Sequence, residues 1–141
     1  MVIPDTDHVS LLERSGSAPS ERLRQRILSL GPDHFATTII TYEEQTRGWL
    51  SFAARARTIG GQVEAYKRLK KHLENYRALV VLDFGQQAAW HFERLLRLRL
   101  RIGTMDLKIA AIVLAHDVTL LSRNLRHFRQ VPGLKVEDWT A

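Results

Sequence analysis

The stretch GTMDLKIAAIVLAHDVTLLS, residues 103–122, decides the fold. Leu107, Ile109, Ala110, Ile112, Val113 and Leu114 leave almost no polar face between Met105 and His116, so this helix is expected to be buried all round. Thr104 is placed to cap it. Val118-Thr119-Leu120-Leu121-Ser122 follows directly and reads as a strand. A buried helix feeding a strand is half of a parallel βαβ unit. The same alternation continues outward. Upstream, Ala78-Leu79-Val80-Val81-Leu82 is apolar throughout, as central parallel strands are, and a helix follows from Phe84 to about Arg99. His34 to Ile40 is short and β-branched, which predicts a buried strand. Thr41 with Glu44 matches a capping box, so a helix is expected to start there and run to about Thr58. Gly60-Gly61 should break it, and a helix from Gln62 to about Tyr76 would complete a helical hairpin. At the start, Val2-Ile3-Pro4 is a short strand delivering Asp5, with a helix from Thr6 or Asp7. Gly16 to Pro19 is a break, Ser20 is placed to cap a helix to Leu30, and Gly31-Pro32-Asp33 ends it. Asn124 to Phe128 could make a turn of helix, and Leu134-Lys135-Val136 is a candidate fifth strand. The pattern predicts one α/β domain over residues 1–141, with a parallel sheet of four to five strands and helices on both faces.

Composition narrows the function. A chain of 141 residues is sized for one core. It has no cysteine, which excludes a disulfide framework, thiolate zinc sites, cysteine nucleophiles and iron–sulfur clusters, and fits a cytoplasmic protein. Lys and Arg number 21 against 15 Asp and Glu, a formal charge of +6. Arg dominates, and its guanidinium fork matches phosphate oxygens. Arg94, Arg97, Arg99 and Arg101 form a basic run that reads either as a solvated helix face or as a phosphate track. No apolar run reaches the length of a membrane span, and the opening MVIPDTDH lacks the apolar core of a signal peptide. The six histidines show no metal-binding pair at helical spacing. Trp49, Trp90 and Trp139 read as core or interface anchors.

The acids carry the sharper signal. In an open parallel sheet, ligands bind at the carboxyl ends of the strands. Asp5 ends the first strand, Glu43 and Glu44 lie just past the second, Asp106 opens the buried helix, and Asn124 follows the fourth strand. Each acid has an ordinary local reading as well. Asp5 can cap a helix, Glu44 can partner Thr41, and Asp106 suits the positive end of a helix dipole. Their coincidence at one sheet edge is what calls for a hard divalent cation, because carboxylates gathered together repel.

DTDHVSLLER (5–14), TTIITYEEQTRGW (37–49), IGTMDLKIAAIVLAHDVTLLSRN (102–124) and VPGLKVEDW (131–139) resemble, in order, the motifs of PIN-domain nucleases, and within them the VapC-type toxins of toxin–antitoxin pairs. The resemblance covers nearly the whole chain. It implies a metal-dependent endoribonuclease that uses Mg²⁺ or Mn²⁺, cuts RNA to a 5′-phosphate and a 3′-hydroxyl, forms a homodimer and is blocked by a cognate antitoxin. By motif, the catalytic acids are Asp5, Glu44 and Asp106, with Asp5 and Asp106 holding metal. Glu44 is chosen because it stands four residues before Gly48. Asp7, Glu43, Thr104, Asn124 and His127 are accessory candidates. Two departures stand out: many members carry a fourth acid where Asn124 or His127 stands here, and the first strand is short and ends in Pro4.

Two other readings compete. Asp5-Thr6-Asp7-His8-Val9 fits the DxDxV pattern of haloacid-dehalogenase phosphatases, in which the first Asp is a nucleophile. That pattern needs a fuller strand before Asp5 and a downstream acidic pair, and Glu137-Asp138 lies too near the end to supply it. The missing fourth acid motivates the other alternative, a catalytically weak PIN-like binding module.

Overall fold

The computed structural model describes residues 1–13 and 16–141, so Arg14 of the first motif lies outside the described residues. Among the described residues five short parallel strands form the centre: β1 (Val2–Pro4), β2 (Thr37–Thr38), β3 (Val81–Leu82), β4 (Thr119–Leu121) and β5 (Lys135–Glu137). They hydrogen-bond in two groups, β1-β4-β5 and β2-β3. A single parallel bridge, Val2 with Phe35, and the Ala36 N–H donating to Val2 O at 3.2 Å join the groups. β1 stops at Pro4, which pairs with Leu121. Pro lacks the N–H to continue the ladder, and the next residue resumes it: Asp5 N–H donates to Leu121 O at 2.8 Å.

The helices are α1 (Thr6–Glu13), α2 (Ala18–Leu30), α3 (Ile39–Arg55), α4 (Ile59–Arg77), α5 (Gln86–Arg97), α6 (Thr104–His116) and α7 (Leu125–Phe128), with a 3₁₀ turn at Pro32–His34. Adjacent strand residues serve opposite faces, as the pleat requires. Ile3 and Leu120 join Ile109, Ala110, Ile112 and Val113 of α6 and Leu95 of α5 in the larger core. Val2 and Leu121 join Leu23 of α2 and Trp139, with Leu11, Leu12 and Ile27 packed against them. Helices therefore cover both faces. Ile109 to Ile112 are wholly inaccessible, as the apolar composition of α6 requires.

Several local boundaries differ from expectation, each for a cap. Thr38, not Thr41, caps α3: its Oγ1 accepts from Thr41 N at 3.1 Å. The helix therefore starts three residues early and takes Ile39 and Ile40 out of the strand. Ser17 caps α2 by accepting from Ser20 N at 3.2 Å, so Ser20 lies inside the first turn. The break between α3 and α4 falls at residues 56–58, and Gly60 and Gly61 lie in the first turn of α4. Thr58 caps α4 and accepts from Gly61 N at 2.9 Å, and a Cβ on Gly61 would stand 3.1 Å from Thr58 Oγ1. α6 is capped by the backbone of Gly103 without a side-chain bond, so Thr104 is its first residue and not its cap.

Candidate functional site

With all five strands parallel, their carboxyl ends share one edge, and the acids gather there. Asp5 is buried at the end of β1. Its Oδ1 accepts from His8 N at 2.9 Å, capping α1. The cap and ligand readings of Asp5 are therefore compatible, because the cap occupies one oxygen and no hydrogen bond reaches Oδ2 among the described residues. Glu44 lies one and a half turns into α3. Thr6 Oγ1 donates to Glu44 Oε1 at 2.6 Å and also lies 3.3 Å from Thr41 Oγ1, so the first turn of α1 fixes the α3 carboxylate.

Asp106, in the first turn of α6, is half-buried and makes no hydrogen bond among the described residues. Its pKa is pushed up to about 6, first by burial, then by the carboxylates of Asp5, Glu44 and Asp7, with His127 pulling the other way. The three motif acids thus feel one another, and among the described residues no Lys or Arg pairs with any of them. The accessory candidates are placed less centrally. Asp7 and Thr104 are exposed. Glu43 turns to Arg47 at 2.6 Å and is not among the charges acting on Asp106. Asn124 and His127 pair with each other, Nδ2 to Nδ1 at 2.7 Å, just past the carboxyl end of β4.

An all-oxygen set of carboxylates with no protein cation on them suits a hard divalent ion. Among the described residues no three acidic or histidine side chains converge into a ready cage.

The raised pKa of Asp106 has a consequence for stability. Its charged form is disfavoured in the folded state, so stability falls as pH rises from about 4 through about 6. For a fully buried group the displacement would correspond to about 3 kcal/mol, and solvent on the open side brings it to about 1 kcal/mol. Without added metal, Asp106→Asn is expected to raise the melting temperature by a few degrees at pH 7.5 and by nothing measurable at pH 4. Equal gains at both pH values in thermal melts would contradict the crowding.

The PIN domain family matches residues 2–134, and the chain belongs to that family. Among curated relatives it is 35% identical over 65 residues to the tRNA(fMet)-specific endonuclease VapC of Salmonella typhimurium, an alignment covering 43% of this chain and 49% of that protein. It is 33% identical over 60 residues to ribonuclease VapC1 of Rickettsia felis, covering 40% and 45% respectively. The chain thus spans about half the length of the curated relatives it matches. The fold superposes over 99% of both chains on VapBC2 of Rickettsia felis bound to a promoter DNA fragment, with TM-score 0.74 and 18% identity. It superposes over 98% of this chain and 97% of the other on DNA-bound VapBC of Salmonella typhimurium, with TM-score 0.71 and 23% identity. Family membership sets aside the haloacid-dehalogenase alternative. Among the described residues no helix is long and apolar enough to cross a membrane.

Proposed function

We propose that the chain is a metal-dependent endoribonuclease, the VapC-type toxin of a toxin–antitoxin pair, acting in the cytoplasm. What supports the reading is the meeting of Asp5, Glu44 and Asp106 at one sheet edge: the Asp106 carboxyl is pushed up first by burial and then by the Asp5 and Glu44 carboxylates, and among the described residues no Lys or Arg pairs with the three. Mg²⁺ or Mn²⁺ bound there would supply charge stabilisation at a phosphate oxygen and a more acidic water. The chain's own residues hold the acids. Asp5 is fixed by its cap bond to His8 N, Glu44 is oriented by Thr6 Oγ1, and Asp106 must be unprotonated to hold metal, so protons compete with the ion there as pH falls. Glu44 is left to position the attacking water, and the scissile bond breaks to a 5′-phosphate and a 3′-hydroxyl. The homodimer and the blocking antitoxin belong to the same proposal.

The test is cleavage of RNA with Mg²⁺ and with EDTA, mapping the product ends. Cleavage that survives EDTA, or that leaves a 2′,3′-cyclic end, overturns the reading. One observation favours a second reading, a catalytically weak binding module: Asn124 and His127 occupy each other instead of offering a fourth carboxylate. Folded protein with no turnover under any divalent ion would select it.

The same pair sets an expectation for metal. With only Asp5 and Asp106 as direct ligands, Mg²⁺ is expected to bind as a single ion with a dissociation constant of about 1 mM. Calorimetry finding two tight sites would contradict this.

A further inference from the structure

We propose that His8 is a positioning residue. Its imidazole, wedged between Asp5 and Asp138, holds one oxygen of Asp5 and braces the acid pocket against residues 138–140. The inference rests on the proposed role of Asp5 as a metal ligand.

His8 is wholly inaccessible, and neither ring nitrogen has a hydrogen-bond partner among the described residues. A leucine would fill such a position without leaving polar atoms unpaired, and burying an unpaired donor or acceptor is costly. The ring's polar surroundings explain its presence. Nδ1 stands 3.4 Å from Asp5 Oδ1 and Nε2 stands 3.9 Å from Asp138 Oδ1. Both neighbours only accept, so each has a place only for a ring N–H. Asp138 Oδ1 already accepts from Thr140 N at 2.8 Å and Thr140 Oγ1 at 2.5 Å. Among the described residues Asp5 Oδ1 accepts only from His8 N, and it lies nearer the ring. The proton therefore belongs on Nδ1, where a small ring rotation closes the bond. Asp5 Oδ1 is then held twice by residue 8, and Oδ2 is left as the oxygen that ligates.

The other side of the ring gives the brace its anchor. Arg22 Nε donates to Thr140 O at 2.8 Å, and the Arg26 guanidinium lies 4.4 Å from the centre of the buried Trp139 ring. Helix α2 thus fixes residues 138–140, those fix Asp138, and Asp138 backs the imidazole. A partner that orients a metal-binding side chain from behind typically contributes about ten- to a hundredfold in metal affinity.

The experiment uses the full chain and Mn²⁺ as probe. By Mn²⁺ titration, His8→Leu is expected to weaken binding about tenfold. His8→Asn keeps a donor near the position of Nδ1 and is expected to restore binding to within about twofold of the wild type. Equal losses in the two variants, or no loss in a folded His8→Leu, overturn the proposal. A second readout needs no metal and no variant of His8. Long-range ¹H–¹⁵N spectra of the wild type should show His8 with its proton on Nδ1, and Asp5→Asn should shift that signal. A wild-type proton on Nε2 also overturns the proposal. If the wild type binds no Mn²⁺, the acid pocket reading falls, and the tautomer alone decides whether His8 holds Asp5.

Discussion

Replacing Asp5 or Asp106 by Asn is expected to lower RNA cleavage about a thousandfold while the protein stays folded. The size follows from what a bound ion contributes at a phosphate, several kcal/mol of charge stabilisation, which is lost when a direct ligand goes. Survival of the fold follows from local geometry. Asn at position 5 keeps an Oδ1 that can accept from His8 N, so the cap on α1 is preserved. Asn at position 106 removes the charge that burial and the Asp5 and Glu44 carboxylates disfavour. Glu44→Gln belongs to the same series, because its amide oxygen can still accept from Thr6. Initial rates with Mg²⁺, paired with circular dichroism, decide the matter. Well-folded Asp5 and Asp106 variants that cut at the wild-type rate would remove the metal site from both.

What could be read in the sequence divides by whether a signal is global or local. The burial of α6 was legible because a helix with no polar face has only one place to go. β4 was legible because it follows that helix with a run of apolar residues. Gathering of the acids at one sheet edge followed from strand ends alone. The caps were harder. Thr38 and Thr41 are both good cap residues three apart, and the β-branched run Thr37 to Ile40 suits a strand as well as a first helical turn. Only the bond from Thr41 N to Thr38 Oγ1 chooses between them. Gly60-Gly61 was a break by composition, yet a first helical turn tolerates glycine where Thr58 needs room to cap. At the site, the sequence gives Asn124 and His127 as two separate substitutes for an acid, and nothing in their spacing reveals that they bind each other. His8 was invisible as anything but a helix residue, because its neighbour Asp138 lies 130 positions away.

Truncating Trp49 and Phe52 together to Ala is expected to weaken binding of the proposed antitoxin about a hundredfold, with the fold unchanged. Neither ring belongs to the core: Phe52 is 37% exposed, Trp49 is half-buried, and they meet edge to face at 5.9 Å. Both line a cavity of about 340 Å³ that begins at Thr6 and Glu44 and ends at Arg55. Trp49 and Glu13 also line an adjoining cavity of about 420 Å³ that reaches Arg68 and Lys71. A groove with Trp49, Phe52 and Leu12 as its apolar part thus leads away from the acids, with Glu13, Arg55, Arg68 and Lys71 along it. A partner helix with apolar residues for the two rings, an Arg for Asp5, Glu44 and Asp106, and acids for Arg55 and Lys71 would fit it. Of the other basic residues on the hairpin, Lys70 lines a different cavity with Tyr42 and Tyr66, so its reversal should matter less than that of Lys71. Exposed aromatics that line a groove are where binding energy concentrates, and more than about 1 kcal/mol for each of the two rings gives the hundredfold. The affinity of the purified variants for the antitoxin settles it: unchanged binding by a normally folded double variant places the antitoxin on another face.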